Sequence, residues 1–179
     1  MKPADTLLQF DQFLKAQGLR LEAVAAGGAA LALLGVIQRE TRDCDLIEPE
    51  LSSELRGAAA AFAGILRLRG EILRDDWLNN GPASLGPLLP EGWRSRLHPV
   101  FEGEALRLWA LGRAELLLSK LFALCDRGLD LGDCLALRPS LEELAQAAPW
   151  IAAQDQHPDW PAHVEATLGD LSRRLGHGL

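Results

Sequence analysis

Two aspartates stand one residue apart in the stretch TRDCDLI, as Asp43 and Asp45. If this stretch is a β-strand, residues two apart point to the same face, and the two carboxylates lie side by side. Two adjacent negative charges are costly unless a cation lies between them. Magnesium is the usual cation, because it prefers oxygen ligands and needs few protein carboxylates when substrate phosphates complete its shell. The pair therefore predicts a magnesium site.

Gly27 and Gly28 precede the aspartates by about fifteen residues and follow a short apolar run. Without β-carbons, their backbone N–H groups can approach an anion closely, and the start of a following helix favours negative charge. Each motif alone has an ordinary explanation, since glycines make tight turns and aspartates cap helices or lie in exposed loops. Together, in this order, they favour phosphates on the glycines and a metal ion on the aspartates.

The elements that would position these residues follow from periodicity. Helical spacing of apolar residues predicts a first helix that ends near Gly18, and alternation predicts a strand over residues 19–25. Residues 29–38 are typical of a buried helix, and residues 43–47 of a second short strand. The pattern is helix, strand, Gly-Gly turn, helix, strand.

The remainder of the chain predicts one more helix and one more strand pair before a helical end. A helix begins at Ser52 or Ser53, residues 75–93 are an irregular loop, and RLHPVF and ALRLWAL are paired strands with Pro99 favouring a sheet edge. From Arg113 the chain is helical, with Ser140 and Glu143 forming a capping box. We predict an α+β fold, with a small mixed sheet flanked by helices over residues 1–112 and a helical region packed on it over residues 113–179.

Composition excludes several classes of protein. The formal charge of −7 argues against holding nucleic acid by bulk electrostatics. The cysteines show no CxxC pair and no histidine spacing typical of zinc, so a reducing cytoplasm is expected; they are Cys44, Cys125 and Cys134. The first residues lack the apolar core of a signal peptide, and the longest uncharged run is too short to cross a bilayer. We expect no membrane partner.

The stretch GGAALALLGVIQRETRDCDL resembles the signature of the nucleotidyltransferase superfamily, the polymerase β-like fold, in which a Gly-Gly or Gly-Ser turn is followed by Asp-x-Asp. It is most similar to bacterial AbiEii abortive-infection toxins and related uncharacterised proteins, where Thr-x-Asp-x-Asp is frequent, here beginning at Thr41. The segment ELLLSKLFALCDRGLDLGDCLAL is similar to the downstream helical pattern of that group. Its matching positions are Lys120, Asp130 and Asp133.

The resemblance implies transfer of a nucleoside monophosphate from a nucleoside triphosphate (NTP) to an RNA, protein or small-molecule acceptor. It implies one or two magnesium ions on the aspartate pair, phosphates on the glycines, and nucleotide contacts by Thr41 and Lys120. It also implies a toxin–antitoxin or phage-defence setting with a cognate antitoxin. The ordinary alternatives are that Lys120 extends to the surface and that Asp130 and Asp133 cap a short helix.

The sequence departs from the family pattern at the third carboxylate, which usually lies on the next strand and activates the acceptor. SRLHPVF contains no acid; the candidates are His98, whose ordinary explanation is a half-buried strand residue, and Glu102 and Glu104 at the following turn. The alternative to an enzyme is therefore a non-catalytic nucleotide- or partner-binding relative that lost this acid. A third hypothesis is a structural helical protein in which the motif is accidental.

Overall fold

The computed structural model describes residues 1–177, which divide into two units, Met1–Gly112 and a second one from Arg113 onward. The last two residues of the predicted helical region, 178–179, lie outside the described residues.

The first unit contains three α-helices and five strands. They are α1 (Pro3–Ala16), β1 (Leu21–Ala26), α2 (Gly27–Leu33), β2 (Cys44–Glu48), α3 (Ser53–Leu68), β3 (Leu78–Asn79), β4 (His98–Glu102) and β5 (Leu106–Ala110). Two 3-10 helices, Ala83–Leu88 and Trp93–Arg96, lie between β3 and β4. The strands form one sheet in the order β3-β2-β1-β5-β4.

Strand β1 is the centre of this sheet. It pairs antiparallel with β2 and parallel with β5, while β3 runs parallel to β2 and β4 antiparallel to β5. Because β1 and β2 are antiparallel, the end of β1 lies beside the beginning of β2. In register, Ala26 faces Asp45. The first helical residue after β1, Gly27, is therefore next to the aspartate pair.

The predicted α+β class is confirmed: the sheet is mixed, helices flank it, and residues 113–174 are mainly helical. The helix predicted over residues 29–38 is wrong in its bounds. It begins at Gly27 and ends at Leu33, because Gly35 takes a positive φ of 74°, which interrupts a right-handed helix. The predicted loop 75–93 also contains β3 and the first 3-10 helix, and the second 3-10 helix begins at its last residue, Trp93.

Aromatic side chains hold α1, α3 and the approach to β3 together. The rings of Phe10 and Trp77 meet edge to face at 5.0 Å between centroids, and Phe62 lies 5.2 Å from Phe10 and 5.9 Å from Trp77. The Trp77 Nε1–H donates to the Ala59 carbonyl at 3.1 Å. The Trp77 carbonyl in turn accepts a hydrogen bond from the Cys44 amide. This cluster thus fixes the chain that pairs with the beginning of β2.

The second unit consists of helices, namely α4 (Arg113–Arg127), α5 (Leu131–Leu137), α6 (Leu141–Ala152) and α7 (Trp160–Arg174). The predicted capping box at the start of α6 is confirmed: Ser140 Oγ accepts from the Glu143 amide, and the Glu143 carboxylate accepts from the Ser140 amide. Over residues 1–177, no helix combines the length and apolar character needed to cross a membrane.

A buried carboxylate on α1 fastens the turn between β4 and β5. Asp11 is 6% exposed, and its Oδ1 accepts hydrogen bonds from the amides of Ala105 and Leu106, each at 2.8 Å. Burial alone would raise the pKa of Asp11, but these amide donors and the nearby Lys15 lower it below its ordinary value of 3.8. The folded protein thus stabilises the ionised carboxylate.

We expect Asp11→Ala to lower the free energy of unfolding by about 2–4 kcal/mol, because two buried amides lose their acceptor. The pKa is depressed in the folded state, so the ionised Asp11 stabilises the protein above pH 3.8, and this contribution is lost as the pH falls through the folded pKa. Urea unfolding between pH 7 and pH 3 measures both effects. Asp5→Asn, an exposed change on the same helix, is the control and should leave the pH dependence intact.

Candidate active site

The aspartate pair lies at the beginning of β2. Asp45 is the second residue of the strand, and Asp43 precedes its first residue. Both are half-buried, whereas Cys44 between them is fully buried, which is the alternation of an extended chain. The two carboxylates therefore flank one inward-pointing thiol at the edge of the sheet where β1 gives way to α2.

Gly27 lets the chain pass directly over the Asp45 carboxylate. A β-carbon at Gly27 would lie 2.5 Å from Asp45 Oδ2, and its φ of +66° is one that residues with a β-carbon rarely adopt. Only glycine satisfies both conditions. The structure thus brings together two residues that the sequence places eighteen positions apart.

Gly28 packs against residues 39–41, the segment that leads into β2. A β-carbon there would lie 3.3 Å from Thr41 Cγ2 and 3.5 Å from Arg39 Nη2. Thr41 is only 4% exposed, and its amide donates to the Met1 carbonyl at 3.0 Å. Its Oγ1 has no hydrogen-bond partner among the described residues, which is uncommon for a buried hydroxyl. Arg39, which the sequence analysis did not single out, belongs to the same group.

The negative charges of Asp43 and Asp45 alter the pKa values of neighbouring side chains. Burial, followed by the charges of Asp45 and Asp43, raises the pKa of the Cys44 thiol to about 12. Cys44 is therefore protonated at neutral pH, and its buried thiol is a poor nucleophile. On the solvent side, Arg74 binds both oxygens of Asp76, at 2.8 and 2.6 Å. Those bonds, followed by the more distant Asp43, raise the Arg74 pKa.

Asn79 is a second polar neighbour that the sequence analysis missed. It lies in β3, in register with Asp45, and its Oδ1 accepts a hydrogen bond from the Gly81 amide at 2.7 Å. A two-residue strand has no periodicity, so its pairing with β2 leaves no recognisable pattern in the sequence. Arg39 had a weak signal, because it stands two residues before Thr41 in RETRDCD.

The sheet order does not bring the candidate third acids to the pair. Along one line across the sheet, His98 pairs with Ala110, Ala110 with Ala25, and Ala25 with Leu46. His98 is thus three strand spacings, about 14 Å, from β2.

The two glutamates lie farther along the sheet. Glu102 pairs with Arg107, which pairs with Glu22 near the opposite end of β1 from Ala26. Glu104 is exposed and forms an ion pair of 2.6 Å with Lys15. Strand pairing fixes the position of Glu102, and Glu104 lies in the turn that follows β4, so neither glutamate is placed to act with Asp43 and Asp45.

The donor set at the pair suits magnesium bound together with a phosphate ligand. Within residues 1–177, no three His, Cys, Asp or Glu side chains are grouped to hold a metal ion. Two carboxylates are nevertheless sufficient for magnesium when phosphate oxygens and water complete its shell. The residues that would hold the ion are Asp43 and Asp45.

Lys120 belongs to a buried ion cluster within the second unit. Its Nζ lies 2.8 Å from Asp133 Oδ2 and 3.1 Å from Asp130 Oδ2, and the lysine is 6% exposed. It therefore does not extend to the surface, the ordinary alternative for such a residue. Asp130 occupies the N-cap position of α5, but its side chain makes no capping hydrogen bond and instead binds Lys120.

A comparison with known protein families gives one match. The family model described as a nucleotidyltransferase of unknown function (DUF6036) matches residues 5–135, which include the glycines, the aspartate pair and the Lys120 cluster. No curated protein and no solved structure matches the chain.

Gly27→Ala is expected to destabilise the protein more than Gly35→Ala. Both glycines have a positive φ, 66° and 74°, but a β-carbon at Gly35 meets no atom within 4 Å. The control variant should lose about 1–2 kcal/mol for its backbone conformation alone, and Gly27→Ala should lose more because it collides with Asp45. Urea unfolding measures the difference. Adding Asp45→Ala should recover that excess; purely additive losses would contradict the contact.

Lys120→Met should lower the free energy of unfolding by about 3–5 kcal/mol, because it leaves Asp130 and Asp133 without their cation in a buried site. Lys15→Met is the matched control, since its ion pair with Glu104 is solvent-exposed and should cost less than about 1 kcal/mol. Urea unfolding of both variants and of Lys120→Met with Asp133→Asn compares the two sites. Equal losses for Lys120 and Lys15 would show that the buried cluster contributes nothing specific.

Proposed function

Because the chain belongs to the nucleotidyltransferase family of unknown function (DUF6036), we propose that it transfers a nucleoside monophosphate from an NTP to an acceptor, with magnesium as cofactor. The observation that carries the proposal is the close approach of Gly27 to the Asp45 carboxylate. It puts the backbone suited to phosphates and the acids suited to a metal ion within one small site. A ligand that contains both, a magnesium–nucleotide complex, fits this combination.

In the proposed reaction, the backbone at Gly27 and Gly28 binds the phosphates, and the buried Thr41 hydroxyl supplies a hydrogen bond. Asp43 and Asp45 would hold magnesium, which would offset the negative charge of the reacting phosphates. The acceptor hydroxyl oxygen bonds to the α-phosphorus as the bond to pyrophosphate breaks. The hydroxyl proton leaves to a carboxylate of the pair or to water. Fixing the reactants in place is the main contribution of such a site.

The wider setting is also part of this proposal. The AbiEii-like sequence pattern supports a bacterial toxin–antitoxin or phage-defence role, with a cognate antitoxin as partner. The three buried, unpaired cysteines support a cytoplasmic location. The acceptor is an RNA, a protein or a small molecule, and each is one arm of the experiment below.

A non-catalytic nucleotide-binding relative is the second candidate. The observation that favours it is the distance of His98, Glu102 and Glu104 from the aspartate pair, three strands away or in a separate ion pair. Such a protein would bind a magnesium–nucleotide complex at the same residues without transferring the nucleotide.

The test is incubation with each α-labelled NTP, magnesium and separate pools of total RNA, protein and metabolites. We expect label transfer to one pool, abolished by Asp43→Ala with Asp45→Ala, because both metal ligands are removed. Binding of NTP without transfer to any pool would favour the non-catalytic relative. Absence of binding to the folded wild-type protein would contradict both functions.

The matched control for that experiment is Glu102→Ala with Glu104→Ala, which also removes two carboxylates. Transfer should be unchanged within about twofold, since these residues lie away from the pair. Loss of transfer in the control would instead show that one of them reaches the acceptor.

A further inference from the structure

We propose that Asn79, on β3, donates a hydrogen bond from its side-chain amide to a phosphate oxygen of the nucleotide at the aspartate pair. This inference rests on the proposed function and deepens it, by naming a further residue that contacts the substrate. It starts from the sheet register, in which Asp45 pairs with Ala26 on one side and with Asn79 on the other. A row across three neighbouring strands therefore ends at an amide side chain.

Asn79 and Asp45 lie on the same face of the sheet. Residues in register on neighbouring strands, about 4.8 Å apart, direct their side chains to the same side. The burial agrees, because Cys44 and its partner Leu78 are both buried. Asp45 and its partner Asn79 are both half-buried. A ligand bound to the Asp45 carboxylate would thus lie next to the Asn79 side chain.

Two hydrogen bonds to the chain fix which way the Asn79 amide is turned. Its Oδ1 accepts from the Gly81 amide at 2.7 Å, and its Nδ2 donates to the Asp76 carbonyl at 3.4 Å. The oxygen is therefore engaged in a short bond within the turn. The nitrogen carries two hydrogens, and the single bond that it makes within residues 1–177 is long. The nitrogen is thus the atom of this amide that can serve a ligand.

A donor at this position suits an anionic ligand and not a cation. An amide nitrogen donates to phosphate oxygens but offers no lone pair to a metal ion, whereas the carboxylates of Asp43 and Asp45 only accept. On the β1 side, the Gly27 backbone lies against Asp45 Oδ2. A phosphate that shares a cation with Asp45 would therefore have the Gly27 turn on one side and the Asn79 amide on the other.

Titration calorimetry of the full chain with magnesium and each NTP tests the assignment, and a thermal transition shows that each variant is folded. Asn79→Ser removes the amide nitrogen but keeps a hydroxyl that can accept from the Gly81 amide, as serines do in such turns. It should weaken NTP binding by about tenfold to a hundredfold, because a hydrogen bond to a charged oxygen is lost. Asn79→Asp keeps the shape and the acceptor, and it should weaken binding further because a carboxylate repels the phosphate.

Gln38→Glu is the control for the added charge, because it places a carboxylate on an exposed residue outside the sheet. It should change NTP affinity by less than about threefold, as expected for a screened charge. The assignment is overturned if Asn79→Ser binds NTP as tightly as the wild type, if Gln38→Glu weakens binding as much as Asn79→Asp, or if Asn79→Asp binds more tightly, which would make this position a metal ligand. If the folded wild-type protein binds no NTP with magnesium, the proposed function itself fails, which separates the two results.

Discussion

The antiparallel pairing of β1 with β2 is the constraint on which the candidate site depends. It sets Ala26 beside Asp45, so the turn out of one strand and the start of the other share one corner of the sheet. The missing side chain at Gly27 then allows the backbone to rest against the carboxylate. Neither motif would form a site by itself. Strand register brings two short sequence patterns together into one candidate site.

The sequence predicted this part of the molecule well because its signals are local. The alternating apolar residues in β1 and the capping box at Ser140 each follow from a few neighbouring residues. The close contact that excludes a side chain at Gly27 does not, because it comes from Asp45, eighteen positions away. The ends of α2 were harder to predict, since they depend on the backbone angle of Gly35 and not on apolar spacing. Strand β3 was missed for a related reason. It exists only because residues 78–79 pair with β2.

The remaining site residues could not be predicted, since their roles come from long-range packing. Arg39 belongs to the site because the Arg39–Thr41 segment folds onto Gly28, a contact that residue spacing does not encode. Lys120 shows the reverse case. Its family motif suggested a nucleotide contact, which stays a prediction, and the structure adds that two aspartates of the same motif bind its ammonium. A shared sequence motif thus identifies residues that act together but not what they contact.

The position of β1 between β2 and β5 also orders the assembly of the first unit in time. β2 begins 18 residues after β1 ends, whereas β5 begins 80 residues after it. Because closing a longer loop costs more entropy and is slower, the β1–β2 corner is expected to form first. During synthesis, the central strand remains an open edge until residue 110 has left the ribosome. The corner that carries the candidate site is therefore expected to form before the rest of the sheet that supports it.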